Sequence, residues 1–462
     1  MPLPVLPNNV CTVLRILEGS GHSAYVVGGC VRDALLGTVP GDWDVCTSAL
    51  PRETMALFAG YTVLPTGLDH GTVTVLMDGT PYEITTYRVD GDYSDHRHPD
   101  SVTFVSDLRE DLARRDFTVN AMAYHPEKGL VDPFHGADDL RQRVIRAVGD
   151  PEERFREDGL RILRALRFAA RLGFTVDEAT AAAIHVQSAL LDGIARERVQ
   201  KEFNGLLIGE NVVPVLRAYS DVLARILPEI EPCFGFDQHN PHHFADVWEH
   251  TLFALGATPP DLLIRLVVLL HDTGKPASFS LDEEGVGHFC GHGEKSAAIA
   301  EAVLTRLRYE KEFSRRVIAL VRWHDAEIPP SRAGVLRWLN RLGEADMQNL
   351  MVIKRTDALA HNFADEKLKK LALRKAILNR VLASGDCYRV QDLAVSGEDL
   401  LAMGIPEGPP IGELLRALLG RVMDGSTANT RPALLALAAS IHKEGRVLPF
   451  APHGDASPSR EE

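Results

Sequence analysis

The spacing of apolar residues changes character once along this 462-residue chain, near Asp150, and that change limits what it can fold into. Upstream, short β-rich runs alternate with turns. Downstream, stretches such as Glu153 to Leu172 and Ala297 to Arg308 follow the helical repeat. The expected fold class is therefore a small α+β N-terminal unit, a mixed sheet with helices, followed by all-α regions. Ser23 to Val27 reads as a strand, Val31 to Leu36 as a helix ended by Gly37, and Trp43 to Cys46 as part of another strand. Ser48 and Pro51 open a short helix through Phe58. The runs Gly71 to Met77 and Tyr82 to Val89 flank Asp78-Gly79, whose tolerance of positive φ predicts a tight hairpin. Breaks near Pro228 to Pro241 and at Gly385-Asp386 divide the helical part. The expected domains are 1–150, 151–228, 229–385 and 386–450, with 451–462 a disordered tail.

With 45% hydrophobic residues, the chain has ample material for buried cores. Its net charge of −14 argues against a protein that coats nucleic acid by bulk electrostatics, so any RNA contact needs local basic stripes. The six cysteines include no C-x-x-C pair and read as buried thiols. Residues 1–9 lack the basic stretch and apolar run of a secretory signal. The apolar run Leu262 to Leu270 is interrupted by Arg265 and too short to span a bilayer, so a cytoplasmic protein without membrane contact is expected. Oligomeric state is left open.

Two glycines in Val27-Gly28-Gly29-Cys30-Val31-Arg32-Asp33 fall between a strand and a helix. There, backbone N–H groups can approach a phosphate with no Cβ in the way, and Arg32 can add a charge-assisted contact. In Asp42-Trp43-Asp44, strand residues two apart point to one face, so both carboxylates can converge on a metal cluster. Two divalent ions suit an in-line phosphoryl displacement, and Mg²⁺ prefers such oxygen ligands. Glu83, between Tyr82 and Ile84 on the predicted hairpin, is a candidate third carboxylate.

Gly28-Gly29-x-Val31-Arg32-Asp33, Asp42-x-Asp44 and Arg114-Arg115-Asp116-Phe117-Thr118-x-Asn120-Ala121 occur in that order, and the ordered set resembles the class II tRNA nucleotidyltransferases. These are the CCA-adding enzymes of the polymerase-β-like superfamily, and the resemblance runs from about residue 20 to about 440. It implies a catalytic head in which Asp42 and Asp44 bind the catalytic metals. It also implies that Gly28, Gly29 and Arg32 hold the triphosphate, and that Arg115, Asp116 and Asn120 read the ribose. The partners would be tRNA, CTP and ATP. Two related readings stay open: an enzyme adding only the final A, and a bacterial poly(A) polymerase.

Glu157-Asp158-Gly159-Leu160-Arg161 is expected to begin a helix with Leu160, Leu163 and Leu166 buried and with Asp158 and Arg161 as neighbours at i, i+3. Cytosine and adenine both present an amino donor beside a ring-nitrogen acceptor, which a carboxylate and a guanidinium complement. Uracil and guanine reverse that pattern, so one site can accept CTP and ATP and reject the others. The E-D-x-x-R motif of the resembling family points the same way, and its E-R-x-x-x-E-F segment, here Glu197 to Phe203, would brace that helix. Arg161, Arg164, Arg167 and Arg171 recur at helical spacing as a basic strip that could meet triphosphate or tRNA. The polar stretch Arg88 to Pro99 reads as a mobile loop, which in the family is associated with the switch to the final adenosine.

His271-Asp272 before Thr273-Gly274-Lys275 resembles the HD metal-dependent phosphohydrolases. That resemblance implies a second divalent metal (Mn²⁺, Ni²⁺, Fe²⁺ or Mg²⁺) held by His250, His271, Asp272 and Asp357, with His292 and His324 as further members. It also leaves open a phosphohydrolase whose head only binds RNA. The segment Asp392 to Gly412 resembles the region that grips the tRNA elbow.

Overall fold

The computed structural model describes residues 5–65, 67–91, 101–362 and 364–443. The expected Arg88 to Pro99 loop and the 451–462 tail fall partly or wholly outside these residues. The chain forms two compact units, one ending at Pro228 and the other beginning at Glu229.

The first unit is built on a seven-stranded mixed sheet, as the β-rich first third implies. Its early strands are β1 (Ala24–Val27), β2 (Val45–Thr47), β3 (Thr62–Leu64), β4 (Thr72–Met77) and β5 (Thr80–Thr86). They lie side by side in the order β3-β4-β5-β2-β1, continued by the strands Ala123–His125 and Gly129–Val131. The hairpin β4-β5 turns at Asp78-Gly79, both at positive φ (50° and 78°), as a tight two-residue turn requires. Every pairing within this sheet is antiparallel except β2 with β5, where Val45 lies opposite Ile84. Val27, Cys46, Tyr87, Leu112 and Ala123 form a core beneath the sheet.

Three expectations need correction. Trp43 to Cys46 is not a strand throughout: β2 starts only at Val45, and Asp42 and Asp44 occupy the irregular segment before it. Asp44 still continues the ladder, because its carbonyl accepts from the Val27 N–H at 3.0 Å. The stretch after Tyr87 is not irregular throughout either, since Arg88–Asp90 pairs antiparallel with Val102–Phe104. Asp90 ties this ribbon down, 3.0 Å from Arg88 and 3.5 Å from Arg114. Finally, Glu153 to Leu172 is two helices, Pro151–Glu157 and Leu160–Leu172, with Asp158 extended between them (φ −140°, ψ 103°). Asp158 is outside both helices because its Oδ1 accepts from the Leu160 N–H at 3.0 Å, satisfying a donor at the new helix start.

The helix Leu160–Leu172 buries Leu160, Ile162, Leu163, Ala165, Leu166 and Phe168, and packs along Arg196–Leu207. At roughly 1.5–3 kcal/mol per buried large apolar side chain, this face is ample to fix the helix under the site.

Among its described residues, the regular structure of the second unit is helical apart from one short two-stranded ribbon, Ser280–Leu281 with Gly287–His288. Its central helix, Leu262–Leu270, is apolar nearly all round because nearly all of it is buried. Arg265, also buried, is tolerated there because its Nε donates to Thr258 Oγ1 (3.2 Å) and to the Pro259 carbonyl (3.0 Å). Around it stand Val247–Gly256, His292–Arg306, Lys311–Trp323 and Arg332–Leu359, the last kinked at Gly343. Among the described residues no helix is long and apolar enough to cross a membrane.

Candidate active site and metal centre

In the first unit the sheet register gathers the acids. Because β2 and β5 run parallel with Val45 opposite Ile84, the preceding residues Asp44 and Glu83 are neighbours on the opposite face. Val45 and Ile84 are buried, whereas Glu83 is exposed. Asp42, two residues before Asp44, joins them from the exposed segment. Burial, then the charges of Asp42 and Glu83, push the Asp44 carboxyl up to about 6, while Arg115 pulls the other way. Three carboxylates that repel one another this way form a site suited to cations.

The glycine turn lies alongside. Gly28 has φ 84°, and a Cβ there would stand 3.0 Å from Arg115 Nη1; one on Gly29 would stand 3.5 Å from Arg32 Nη2. The second distance is an ordinary contact, so it is Gly28 that lets the Arg115 guanidinium approach the backbone where the helix Gly29–Leu35 begins. Arg115 is fixed from below by Asp111, a fully buried carboxylate that accepts from Arg115 Nη2 at 3.1 Å and from Arg114 Nε at 2.9 Å. Burial alone would raise the Asp111 pKa, but the two arginines outweigh it and hold the group ionised.

Arg32, Asn120, Asp116 and Arg164 form a continuous chain. Arg32 Nη1 donates to Asn120 Oδ1 (2.6 Å), Asn120 Nδ2 to Asp116 Oδ1 (3.0 Å), and Arg164 Nε and Nη2 to Asp116 Oδ2 (2.9 and 2.6 Å). Burial opposes ionisation of Asp116, yet Arg164 and the hydrogen bonds from Asn120 and Arg164 bring its pKa to about 2. Arg167 Nε donates to Glu202 Oε2, and the guanidinium groups of Arg32, Arg164 and Arg167 lie 5.0, 5.5 and 4.3 Å from the Phe168 ring centre. Motifs far apart in sequence are therefore one polar network.

Asp158 and Arg161 are not paired with each other. Asp158 Oδ2 accepts from Arg198 Nη2 at 2.8 Å, and Arg161 is held by Glu157 and by the carbonyls of Arg154 (3.0 Å) and Arg114 (3.2 Å). The backbone still turns between them, the Arg161 N–H donating to the Asp158 carbonyl at 3.0 Å, but the side chains part because the helix starts only after Asp158.

In the second unit, His250, His271, Asp272, His292 and His324, all buried, come together with the half-buried Asp357 as one cluster. His250 Nε2 lies 3.0 Å from Asp357 Oδ1, and His271 Nε2 lies 3.2 Å from Asp272 Oδ2. His292 Nε2 and His324 Nε2 face Asp272 Oδ1 at 3.5 and 3.6 Å. Each ring turns Nδ1 to a backbone carbonyl: Ala360, Val268, Phe289 and Val321, respectively, at 3.2, 2.6, 2.9 and 2.7 Å. Lys275 Nζ stands 2.7 Å from Asp272 Oδ2 and donates to Gln238 Oε1 at 2.8 Å.

Sequence reasoning missed Asp111, Arg198 as the partner of Asp158, and His243 and His361 beside His250. A usable signal existed for Asp111, which precedes Arg114 and Arg115 at the i, i+3 and i, i+4 spacing of ion pairs.

A mixed sheet with a glycine turn, crowded carboxylates and buried arginines is the head of a nucleotidyltransferase, and the family model for the Poly A polymerase head domain matches residues 24–146. The model for the RNA and SrmB-binding site of polymerase A matches residues 173–234, and that for tRNA nucleotidyltransferase domain 2 matches residues 294–438. A CCA-adding enzyme of Limosilactobacillus reuteri is 35% identical over 449 residues, 96% of this chain and 99% of that one. One from Geobacillus kaustophilus is 48% identical over 209 residues, 45% of this chain and 51% of that one. The crystal structure of the Bacillus stearothermophilus CCA-adding enzyme in complex with CTP superposes with TM-score 0.72 and 29% identity, over 94% of this chain and 97% of that one. The chain belongs to the CCA-adding enzyme family.

Proposed function

We propose that this chain adds C, C and A from CTP and ATP to the 3′ end of tRNA, at the cluster formed by Asp42, Asp44 and Glu83. The observation that carries the reading is the gathering of three carboxylates beside the Gly28-Gly29 turn, where burial, with the charges of Asp42 and Glu83 added, pushes Asp44 up to about 6. Nucleotidyltransferases of this fold depend on divalent metal, and Asp42 and Asp44 offer the hard oxygen donors that suit Mg²⁺. Bound there, the metal would supply Lewis acidity to the attacking hydroxyl and to the departing pyrophosphate. Gly28, Gly29 and Arg32 would receive the triphosphate, and Arg115, Asp116 and Asn120 the ribose. Asp158 and Arg161 would select the base, which requires exchanging their present contacts with Arg198 and Glu157 for contacts to the base edge.

In this reading residues 1–150 are the catalytic head, 151–228 the nucleotide-selecting neck, 229–385 a metal domain and 386–450 a tRNA-binding tail. The second unit's His/Asp cluster would hold a divalent metal such as Mn²⁺, Ni²⁺, Fe²⁺ or Mg²⁺ and give a secondary phosphohydrolase activity. The protein would work in the cytoplasm. The test incubates a tRNA lacking its 3′ CCA with labelled CTP alone, ATP alone and both. Three added nucleotides with both substrates are expected. A failure to extend in the presence of Mg²⁺ sinks the reading, and a long ladder from ATP alone replaces it with poly(A) synthesis.

A further inference from the structure

We propose that Phe168 is a positioning residue for nucleotide binding: its ring is a platform shared by Arg32, Arg164 and Arg167, and it holds the three guanidinium groups together for a triphosphate before one arrives. This rests on the reading of the Gly28-Gly29 turn as the nucleotide site. Arg32 comes from the helix Gly29–Leu35, and the other two come from Leu160–Leu172, so the ring joins elements far apart in the chain.

All three guanidinium carbons, at 5.0, 5.5 and 4.3 Å from the ring centre, are inside the range where an aromatic ring attracts a cation. Like charges gathered this closely repel. Burial first, and then the charge of Arg164, outweigh Glu202 and lower the Arg167 pKa. Three carboxylates stand against the three cations: Asp33 is 2.7 Å from Arg32, Asp116 is 2.6 Å from Arg164 and Glu202 is 2.5 Å from Arg167. A fourth carboxylate would bind the arginines but turn net negative charge toward a polyanion. An aromatic ring attracts cations through its quadrupole and carries no charge of its own, so it fastens them without cancelling the positive charge that a triphosphate needs.

The platform is itself fixed. Phe168 is 5% exposed and meets the fully buried Phe117 edge to face, with ring centres 5.8 Å apart and planes at 82°. Phe117 follows Asp116, so the ring is tied to the segment that would receive the ribose. Arg167 is aimed by a missing side chain: a Cβ on Gly205 would stand 2.6 Å from Arg167 Cδ and 3.2 Å from its Cγ. Glycine weakens a helix, yet Gly205 lies inside Arg196–Leu207, where it leaves the slot through which the Arg167 stem reaches the ring and Glu202. The side chains of Arg164 and Arg167 stay 34% and 17% exposed, within reach of a ligand. A long arginine loses rotamer freedom when it grips an anion, and one already held against a ring loses less.

The test replaces Phe168, in the full chain, with phenylalanines carrying one, two and three ring fluorines, inserted by stop-codon suppression. Fluorine withdraws charge from the ring face and hardly alters its shape, so a role in packing alone would not respond. Calorimetric titration with CTP and Mg²⁺ should show Kd weakening stepwise, to about tenfold for the trifluoro ring. KM for CTP in the extension of a tRNA lacking its 3′ CCA should rise in parallel, with kcat changing less. Melting curves check that each protein folds. A Kd that stays flat across the series overturns the platform and leaves nucleotide transfer standing. Stepwise loss of CTP affinity in a protein that extends no tRNA supports the platform and sinks the transfer reading. Absence of CTP binding by the wild type overturns both.

Discussion

Replacing Asp44 with asparagine should make the metal-free protein more stable at neutral pH while abolishing nucleotide transfer. Folding brings this carboxyl, largely desolvated, beside Asp42 and Glu83, and raises its pKa from an ordinary 3.8 to about 6. The folded state then binds the proton more tightly than the unfolded state. Stability from this group is fully present below pH 3.8 and is lost as pH rises through 6. The gap corresponds to about 3 kcal/mol at about 1.36 kcal/mol per pH unit, and partial solvent access reduces it to roughly 1–3 kcal/mol. An amide of the same shape carries no such penalty. At about 2–4 °C per kcal/mol for a unit of this size, the variant should melt several degrees higher in EDTA at pH 8. That advantage should shrink as pH is lowered from 6 toward 4. Mg²⁺ should raise the melting temperature of the wild type more than that of the variant, which keeps only the second unit's His/Asp cluster intact. An Asp44→Asn protein melting at or below wild type in EDTA at pH 8 would show that the Asp44 carboxyl carries no penalty from burial and from its acidic neighbours, and the argument for the site would fail.

Other outcomes are fixed by the same geometry. Asp111→Ala leaves the half-buried Arg114 and Arg115 without the buried carboxylate they share; stability should fall by up to about 3 kcal/mol in a denaturant titration. The milder Asp111→Asn should raise KM for CTP and ATP more than it lowers kcat; an unchanged KM would show that Arg115 needs no such anchor. Gly28→Ala places a Cβ 3.0 Å from Arg115 Nη1 at a φ of 84°, so kcat/KM should fall at least about tenfold, the equivalent of roughly 1–2 kcal/mol of left-handed strain. Asp158→Asn should relax the choice of base, seen as UTP or GTP incorporation when single nucleotides are offered to tRNA; intact discrimination would place selection elsewhere.

The sheet and its hairpin were legible because alternation in Thr72–Met77 and the Asp78-Gly79 turn are local signals. The convergence of Asp44 with Glu83 was half legible. Facing direction follows from alternation, but the parallel pairing of Val45 with Ile84 joins segments almost forty residues apart, and no local pattern encodes that register. Asp158 was misplaced because apolar periodicity continues across residues 153–172, while the break depends on one side chain accepting a backbone N–H two residues on. Spacing showed the arginines of Leu160–Leu172 as a basic strip, yet Arg164 and Arg167 are bound to Asp116 and Glu202, partners that only tertiary packing supplies. The His/Asp cluster was legible as residue types, and its division about the two oxygens of Asp272 was not.

The break at Asp158 has a mechanical consequence. A side chain mounted mid-helix can be re-aimed only by rotating or unwinding the whole rod, and Leu160–Leu172 is clamped by its buried face and by Asp116. Asp158 instead occupies the joint between two rods, so re-aiming it exchanges only its bonds to the Leu160 and Arg161 N–H groups and to Arg198, and leaves the rest of both helices intact. A pocket that must greet a small pyrimidine twice and a larger purine once gains adjustable reach from such a pivot, without loosening the framework that carries it.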